Sequence, residues 1–173
     1  MRTVLVTGPI GSGKSAVCKY LASMDFPVYD CDARTKMLYS LVPGLKCSIE
    51  ERLGLPWSEI GRVFAEPDKL RTLEEMVYPH VLEDLKAWKA EQRSALLFVE
   101  SAIALDKPQF DGQYDKVLLV TAPYELRVQR NPKAAERDAL QRFDPARADL
   151  ILENLGTKEE LNIKIRQLIC KLI

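Results

Sequence analysis

The sequence predicts an α/β fold built on a parallel sheet of about five strands that is flanked by helices. Short apolar runs bounded by turn-forming residues alternate with longer stretches of helical periodicity. Runs such as Leu96–Val99 and Val117–Val120 are continuously apolar, as expected of strands that are buried on both faces of a sheet. A glycine-rich segment, Gly8–Ser15, separates the first predicted strand from the first predicted helix. These features predict parallel strand–helix–strand units.

The individual core elements follow from these patterns. The predicted strands are Thr3–Thr7, Pro27–Tyr29, Ala95–Val99, Lys116–Thr121 and Leu150–Leu152. The predicted helices are Lys14–Met24, Glu125–Arg130 and Lys158–Leu172. A chain of 173 residues has the size of one domain. We therefore expect a single domain whose core comprises residues 1–32, 93–130 and 148–173.

Two segments interrupt the core. Residues 33–92 show helical periodicity without a good strand, which predicts a helical insertion carried on the sheet. The single histidine, His80, and the tryptophans Trp57 and Trp88 lie there, and we expect these side chains to pack rather than react; for Trp57 the alternative is that it lines a substrate pocket. Residues 131–147 are charged and poor in large apolar side chains, and we expect them to form a short mobile lid.

Composition excludes several classes of protein. Lys plus Arg and Asp plus Glu are equal at 25 each, so no excess of positive charge points to nucleic acid. The apolar runs are too short to span a bilayer, and the glycine-rich segment lies where the apolar part of a signal peptide would be. The cysteines lack metal-ligand spacing, so we expect four free thiols in the cytoplasm: Cys18, Cys31, Cys47 and Cys170.

The glycine-rich segment has the full spacing of a Walker A motif. It reads Gly8-x4-Gly13-Lys14-Ser15 and joins a strand to a helix, which is the context that this motif requires. Glycines allow successive N–H groups to surround a phosphate, and the start of the helix adds positive potential. Lys14 supplies a charge for the outer phosphates, and the Ser15 hydroxyl suits Mg²⁺. The motif predicts a P-loop fold that binds a nucleoside triphosphate, with further contacts from Ile10, Gly11 and Ser12, and we expect this fold to be nucleotide-kinase-like.

Acidic residues follow two of the predicted strands. Asp30 and Asp32 are two positions apart, so in an extended chain their carboxylates face the same side, where one would hold or deprotonate an acceptor hydroxyl. The alternative is that they cap the following helix. Glu100 directly follows an apolar strand and would orient a water molecule of the Mg²⁺ shell. The alternative for Glu100 is a residue of the turn.

Arginines are frequent in and near the charged segment. Guanidinium groups suit phosphate oxygens, so a lid that carries them would close over the donor. The alternative is a solvated helix face, because acidic residues are interleaved with them. The set comprises Arg127, Arg130, Arg137, Arg142 and Arg147.

Several of these motifs occur in the order seen in one family, and the chain resembles the dephospho-CoA kinases. These P-loop enzymes phosphorylate the ribose 3′-hydroxyl of dephospho-CoA with ATP. The last matching segment, which reads ADLILENLG, is more distinctive than the P-loop. The matching segments are Thr7–Ser15, Val28–Asp32, Val63–Val81, Ala102–Asp106, Val117–Arg130 and Ala148–Gly156.

The resemblance implies roles for individual residues. Asp32 would be the base for the 3′-hydroxyl, and Arg130 would face the phosphates. Arg137 together with Gln141 would belong to the lid. Asn154, with Gly156, would lie beside the donor adenine. ATP, Mg²⁺ and dephospho-CoA are the implied small molecules, and we expect a monomer or a weak homo-oligomer without nucleic-acid or membrane partners.

The resemblance implies that the helical insertion at residues 33–92 binds the acceptor, and this segment departs from the family pattern. Tyr78-Pro79 stands where His-Pro is usual, Lys36 stands where an arginine is usual, and Gly54–Trp57 lacks the usual arginine. The lid is also short. Two alternatives therefore stay open: a nucleoside or nucleotide kinase of the same fold, and a catalytically weak ATP-binding module that acts through a partner.

Overall fold

The computed structural model describes residues 1–137 and 143–172 and places all five predicted strands in one sheet. Across the sheet, the strands lie in the order β2 (Val28–Asp30), β3 (Leu96–Glu100), β1 (Arg2–Thr7), β4 (Lys116–Thr121) and β5 (Leu150–Glu153). Each of the four pairings is parallel. Every strand boundary lies within one residue of its predicted position. This sheet confirms the predicted fold class.

Helices connect and cover the strands. The α-helices are α1 (Lys14–Ser23), α2 (Cys31–Leu41), α3 (Leu45–Leu53), α4 (Pro67–Glu91), α5 (Tyr124–Arg130), α6 (Lys133–Arg137) and α7 (Lys158–Leu172). Among the residues that the structure describes, four 3₁₀ segments lie at Trp57–Ala65, Ala104–Asp106, Pro108–Phe110 and Pro145–Arg147. The predicted bounds of α7 are those observed, and α1 and α5 each differ from prediction by one residue at one end.

The chain divides into two compact units. The sheet unit comprises Met1–Asp30 and Gln92–Ile173, and the helical unit comprises Cys31–Glu91. The sequence predicts the helical insertion over residues 33–92 and the lid over residues 131–147. Of the lid, α6 and the segment from residue 143 onward belong to the described chain. Arg142 and Gln141 lie outside the described residues, and so does the side chain of Arg137.

The core of the sheet unit forms between the strands and the helices α1 and α7. Side chains such as Phe98 of β3, Leu21 of α1 and Ile165 of α7 are fully or almost fully removed from solvent. Burying each of these large side chains contributes about 2 kcal/mol. β1 is central, with β3 and β4 as neighbours. The loop after β1 therefore leaves the middle of the carboxyl edge, where open parallel sheets bind ligands.

The helical unit is organised around the long helix α4. Its buried residues Leu73, Val77, Val81 and Leu85 recur at helical spacing and form the face that packs against α2, α3 and the 3₁₀ segment Trp57–Ala65. The periodicity between residues 33 and 92 thus corresponds to helices.

One local expectation about Asp30 and Asp32 is wrong. Asp30 is the last residue of β2, and α2 begins immediately afterwards at Cys31, so Asp32 lies in the first turn of a helix. The two carboxylates therefore do not share one face of an extended chain. An acidic residue in the first turn interacts favourably with the partial positive charge of the helix start, which accounts for the early helix.

Candidate nucleotide-binding site

The Walker A segment forms a compact loop between β1 and α1. The Ser12 N–H donates to the Pro9 carbonyl at 3.2 Å, and the first helical bonds run from Ala16 and Val17 to the Gly13 carbonyl at 3.0 Å. Gly13 has φ +104°, a conformation that L side chains rarely adopt. A Cβ on Gly13 would also collide with the side-chain amide of Asn154. Both the backbone conformation and the Asn154 side chain therefore exclude a larger residue at position 13.

Lys14 lies across this loop. Its Nζ donates to the Gly8 carbonyl at 2.7 Å and to the Pro9 carbonyl at 3.1 Å. Both acceptors belong to the loop itself, so the ammonium group is held at the place that the loop surrounds. Lys14 is half-buried, which strengthens its attraction for an anion relative to a fully solvated lysine.

Ser15 and Glu100 meet at the carboxyl edge of the sheet. The Ser15 Oγ donates to Glu100 Oε1 at 2.8 Å across 85 residues of sequence. Glu100 is the last residue of β3 and lies in register with Val6 of β1. Its place inside the strand, rather than in the following turn, aims the carboxylate at the start of α1.

A second carboxylate lies on the neighbouring strand. Asp30 of β2 is the register partner of Glu100, and it is exposed. A hydroxyl and two carboxylates on adjacent elements form a set of hard oxygen donors, the ligand type that Mg²⁺ prefers. Within the described chain, no group of three or more His, Cys, Asp or Glu side chains has the geometry of a metal cage.

Cys18 lies one helical turn after Ser15 and faces the same carboxylates. Burial raises the pKa of its thiol, and the nearby Glu100 and Asp30 raise the pKa further. The thiol is therefore neutral at physiological pH and is not a nucleophile. All four cysteines are free, as the sequence predicts; Cys31 is also buried, and Cys47 and Cys170 are exposed.

Arg130 and Asn154 lie together beside the loop. The Arg130 Nη2 donates to the Asn154 carbonyl at 3.2 Å. The Asn154 Nδ2 donates to the Ser12 carbonyl at 2.8 Å, and Asn154 is 7% exposed. The structure thus brings the predicted Arg130 and Asn154 to the same side of the P-loop.

The other arginines of the predicted set have contacts of their own. Arg127 is buried, its Nε donates to the Ala122 carbonyl at 3.1 Å, and its guanidinium carbon is 5.6 Å from the centre of the Tyr124 ring. Arg147 donates to the Asp106 carboxylate at 2.7 Å and to the Leu105 carbonyl. Both residues therefore hold the loops around β4 and β5 in place, which is a packing role that residue type alone does not reveal.

The helical unit holds its own polar pairs. Arg34 binds Asp84 through two hydrogen bonds of 2.8 and 2.5 Å, and so joins α2 to α4. Tyr39 packs edge-to-face on Trp57 with ring centres 4.8 Å apart. Arg34 and Tyr39 carry no local sequence signal of these contacts, because their partners lie 50 and 18 positions away along the chain. Asp32 is exposed on α2, and its predicted role as a base stays a prediction.

Two other residues of the helical unit behave as packing residues. Tyr78 is buried, and burial together with the neighbouring Glu74 raises the pKa of its phenol. The phenol is therefore neutral at physiological pH and serves packing. His80 is half-buried on α4. In the part of the chain that the structure describes, no helix is long and apolar enough to cross a bilayer.

Known proteins provide close relatives. A dephospho-CoA kinase from Porphyromonas gingivalis is 34% identical over 139 residues, which cover 75% of this chain and 68% of that protein. One from Frankia casuarinae is 33% identical, covering 96% of this chain and 82% of that protein. A solved structure from Thermus thermophilus superposes with a TM-score of 0.83 at 28% identity, covering 99% of this chain and 98% of that one. No protein-family model matches the chain.

Proposed function

The chain belongs to the dephospho-CoA kinase family, and we propose that it transfers the γ-phosphoryl group of ATP to the ribose 3′-hydroxyl of dephospho-CoA. The product would be coenzyme A, so the reaction is the last step of coenzyme A biosynthesis. The observation that carries the proposal is the formed P-loop, with Lys14 across it and the Ser15–Glu100 pair at its end.

The donor would bind with its phosphates in the P-loop. The backbone of Gly8, Ile10, Gly11, Ser12 and Gly13 would surround the phosphate oxygens. The Lys14 ammonium, which now bonds two loop carbonyls, would turn to phosphate oxygens, because a charged acceptor forms a stronger hydrogen bond than a neutral one. Lys14 would then stabilise the charge that develops on the transferred group.

Arg130 and Arg137 would complete the donor site. Arg130 bonds the backbone of Asn154, and the Asn154 side chain bonds the P-loop, so Arg130 lies beside the loop that would hold the phosphates. Arg137 lies at the end of α6 in the segment that we expect to form the lid. We propose that both arginines neutralise charge as the lid closes.

Mg²⁺ would be held at the carboxyl edge of the sheet by the Ser15 hydroxyl, with Glu100 acting through a water molecule. The oxygens of the exposed Ser15 and Asp30 and of the half-buried Glu100 fit a hydrated hard cation better than a soft metal. When bound, the ion supplies neutralisation of negative charge on the β- and γ-phosphate oxygens.

Asp32 would accept the proton of the attacking hydroxyl. As the 3′-oxygen forms its bond to the γ-phosphorus, the bond from that phosphorus to the bridging oxygen of ADP breaks. The proton passes to the Asp32 carboxylate, and ADP leaves with the electron pair of the broken bond. Asp32 is exposed and therefore accessible to a substrate.

A coupled assay of ADP release tests the acceptor. We expect release to depend on dephospho-CoA and to be at background rate with a panel of nucleosides and nucleotides. Faster release with a nucleoside would identify a nucleoside kinase of the same fold. ATP binding without turnover on any acceptor would instead identify an ATP-binding module that acts through a partner.

We also propose that the protein works in the cytoplasm as a monomer or weak homo-oligomer. Its four free thiols are typical of a reducing compartment. Its balanced charge, 25 basic against 25 acidic residues, favours small-molecule substrates over nucleic acid. Sedimentation of the purified protein tests its assembly.

A further inference from the structure

Asn154 joins the end of the sheet to the P-loop. It follows the last residue of β5, and its N–H donates to the Thr121 carbonyl of β4 at 2.8 Å, so its backbone continues the sheet. Its side-chain Nδ2 donates to the Ser12 carbonyl at 2.8 Å, across 142 residues of sequence and in a buried setting. The Asn154 side chain is thus hydrogen-bonded to the P-loop.

The bond to the Ser12 carbonyl fixes the direction of the next N–H group. The structure has no cis peptide bond in its described residues, so the Ser12 carbonyl and the Gly13 N–H point in opposite directions from one planar unit. Holding the carbonyl toward Asn154 therefore turns the Gly13 N–H away from Asn154. The lack of a side chain on Gly13 leaves room for the Asn154 amide at this position.

The same residue also holds Arg130. The Asn154 carbonyl accepts from the Arg130 Nη2 at 3.2 Å. One residue therefore contacts the phosphate loop with its side chain and the candidate phosphate-binding arginine with its backbone. A displaced Asn154 would disturb both groups.

We propose that Asn154 is a positioning residue that aims the Gly13 N–H at the donor phosphates. The inference rests on the proposed ATP site. It differs from an adenine contact, because the Asn154 amide nitrogen is bonded to the P-loop. Its effect on the nucleotide would therefore pass through the phosphates and be independent of the base.

Two variants and two ligands test this role. Asn154→Asp keeps the shape of the side chain but replaces the donor with a carboxylate that repels the Ser12 carbonyl, and Asn154→Ala removes the group. Asn162→Ala, on α7 of the same unit, is the matched control. Calorimetry would measure the affinity for ATP. Competition against ATP would measure the affinity for inorganic tripolyphosphate, which has no base.

We expect each Asn154 variant to bind ATP and tripolyphosphate more weakly by the same factor, roughly tenfold. The control variant should bind both ligands as the wild type does. Unchanged affinity for ATP, or a loss for ATP with tripolyphosphate unaffected, would overturn the proposal. Loss of the folded state in both variants, monitored by circular dichroism, would also overturn it, because Asn154 would then support the whole fold. The binding experiments contain no acceptor. Their results would therefore stand even if dephospho-CoA proved not to be the substrate.

Discussion

Replacing Gly13 with alanine adds one methyl group where both the backbone and a neighbour exclude it. The φ of +104° costs an L residue about 1–2 kcal/mol. The new Cβ would also displace the Asn154 amide from its 2.8 Å bond to the Ser12 carbonyl, at a cost of about 1 kcal/mol. The two effects together predict a destabilisation of about 2–3 kcal/mol.

Thermal unfolding followed by circular dichroism measures this cost, and calorimetry measures ATP affinity. For a chain of this length, the predicted destabilisation lowers the melting temperature by about 4–12 °C. ATP affinity should fall as well, because the N–H of residue 13 is turned from its place. Gly61→Ala is the control: Gly61 lacks positive φ, no atom lies within 4 Å of the added methyl group, and the change should be neutral or slightly stabilising. A Gly13→Ala protein that melts within 2 °C of wild type, roughly the shift of a change below 1 kcal/mol, and binds ATP normally would refute the reasoning.

Three further predictions concern carboxylates. Glu100→Gln keeps the side chain's shape but removes its charge, so half-maximal turnover should need roughly tenfold more Mg²⁺; an unchanged Mg²⁺ titration would contradict this. Asp32→Asn should leave ATP affinity intact and lower turnover by at least about 100-fold, whereas retained turnover would show that Asp32 is not the base. Hydrogen bonds from Lys116 and from the Val117 N–H lower the pKa of Asp149 in the folded protein. The Asp149 carboxylate therefore stabilises the fold above the unfolded-state pKa of about 3.9. This stabilisation is lost as the pH falls through the lower pKa of the folded state. Asp149→Asn should therefore unfold more easily than wild type at pH 7, with the difference closing toward pH 2; a difference independent of pH would argue against this.

The strands and the P-loop could be predicted because their signals are local. A buried parallel strand such as β4 needs apolar side chains on both faces, and its turn-forming neighbours mark its ends. The Walker A glycines indicate backbone conformations that few other residues adopt, such as the positive φ of Gly13.

The contacts that build the site depend on strand order, which a local pattern does not contain. Ser15 meets Glu100 because β3 pairs with β1, and Asn154 reaches Ser12 because β5 lies beyond β4. The placement of Asp32 failed for a different reason. No glycine or proline separates β2 from α2, so the sequence does not mark the change from strand to helix.

The stoichiometry of the reaction with dephospho-CoA tests the central claim most directly. The purified protein would be supplied with ATP, Mg²⁺ and dephospho-CoA, and both ADP and the 3′-phosphorylated product would be quantified over time. We expect one molecule of coenzyme A for each ADP, with both products lost in Lys14→Ala. ADP release that proceeds equally without dephospho-CoA, or that yields no 3′-phosphorylated product, would contradict it.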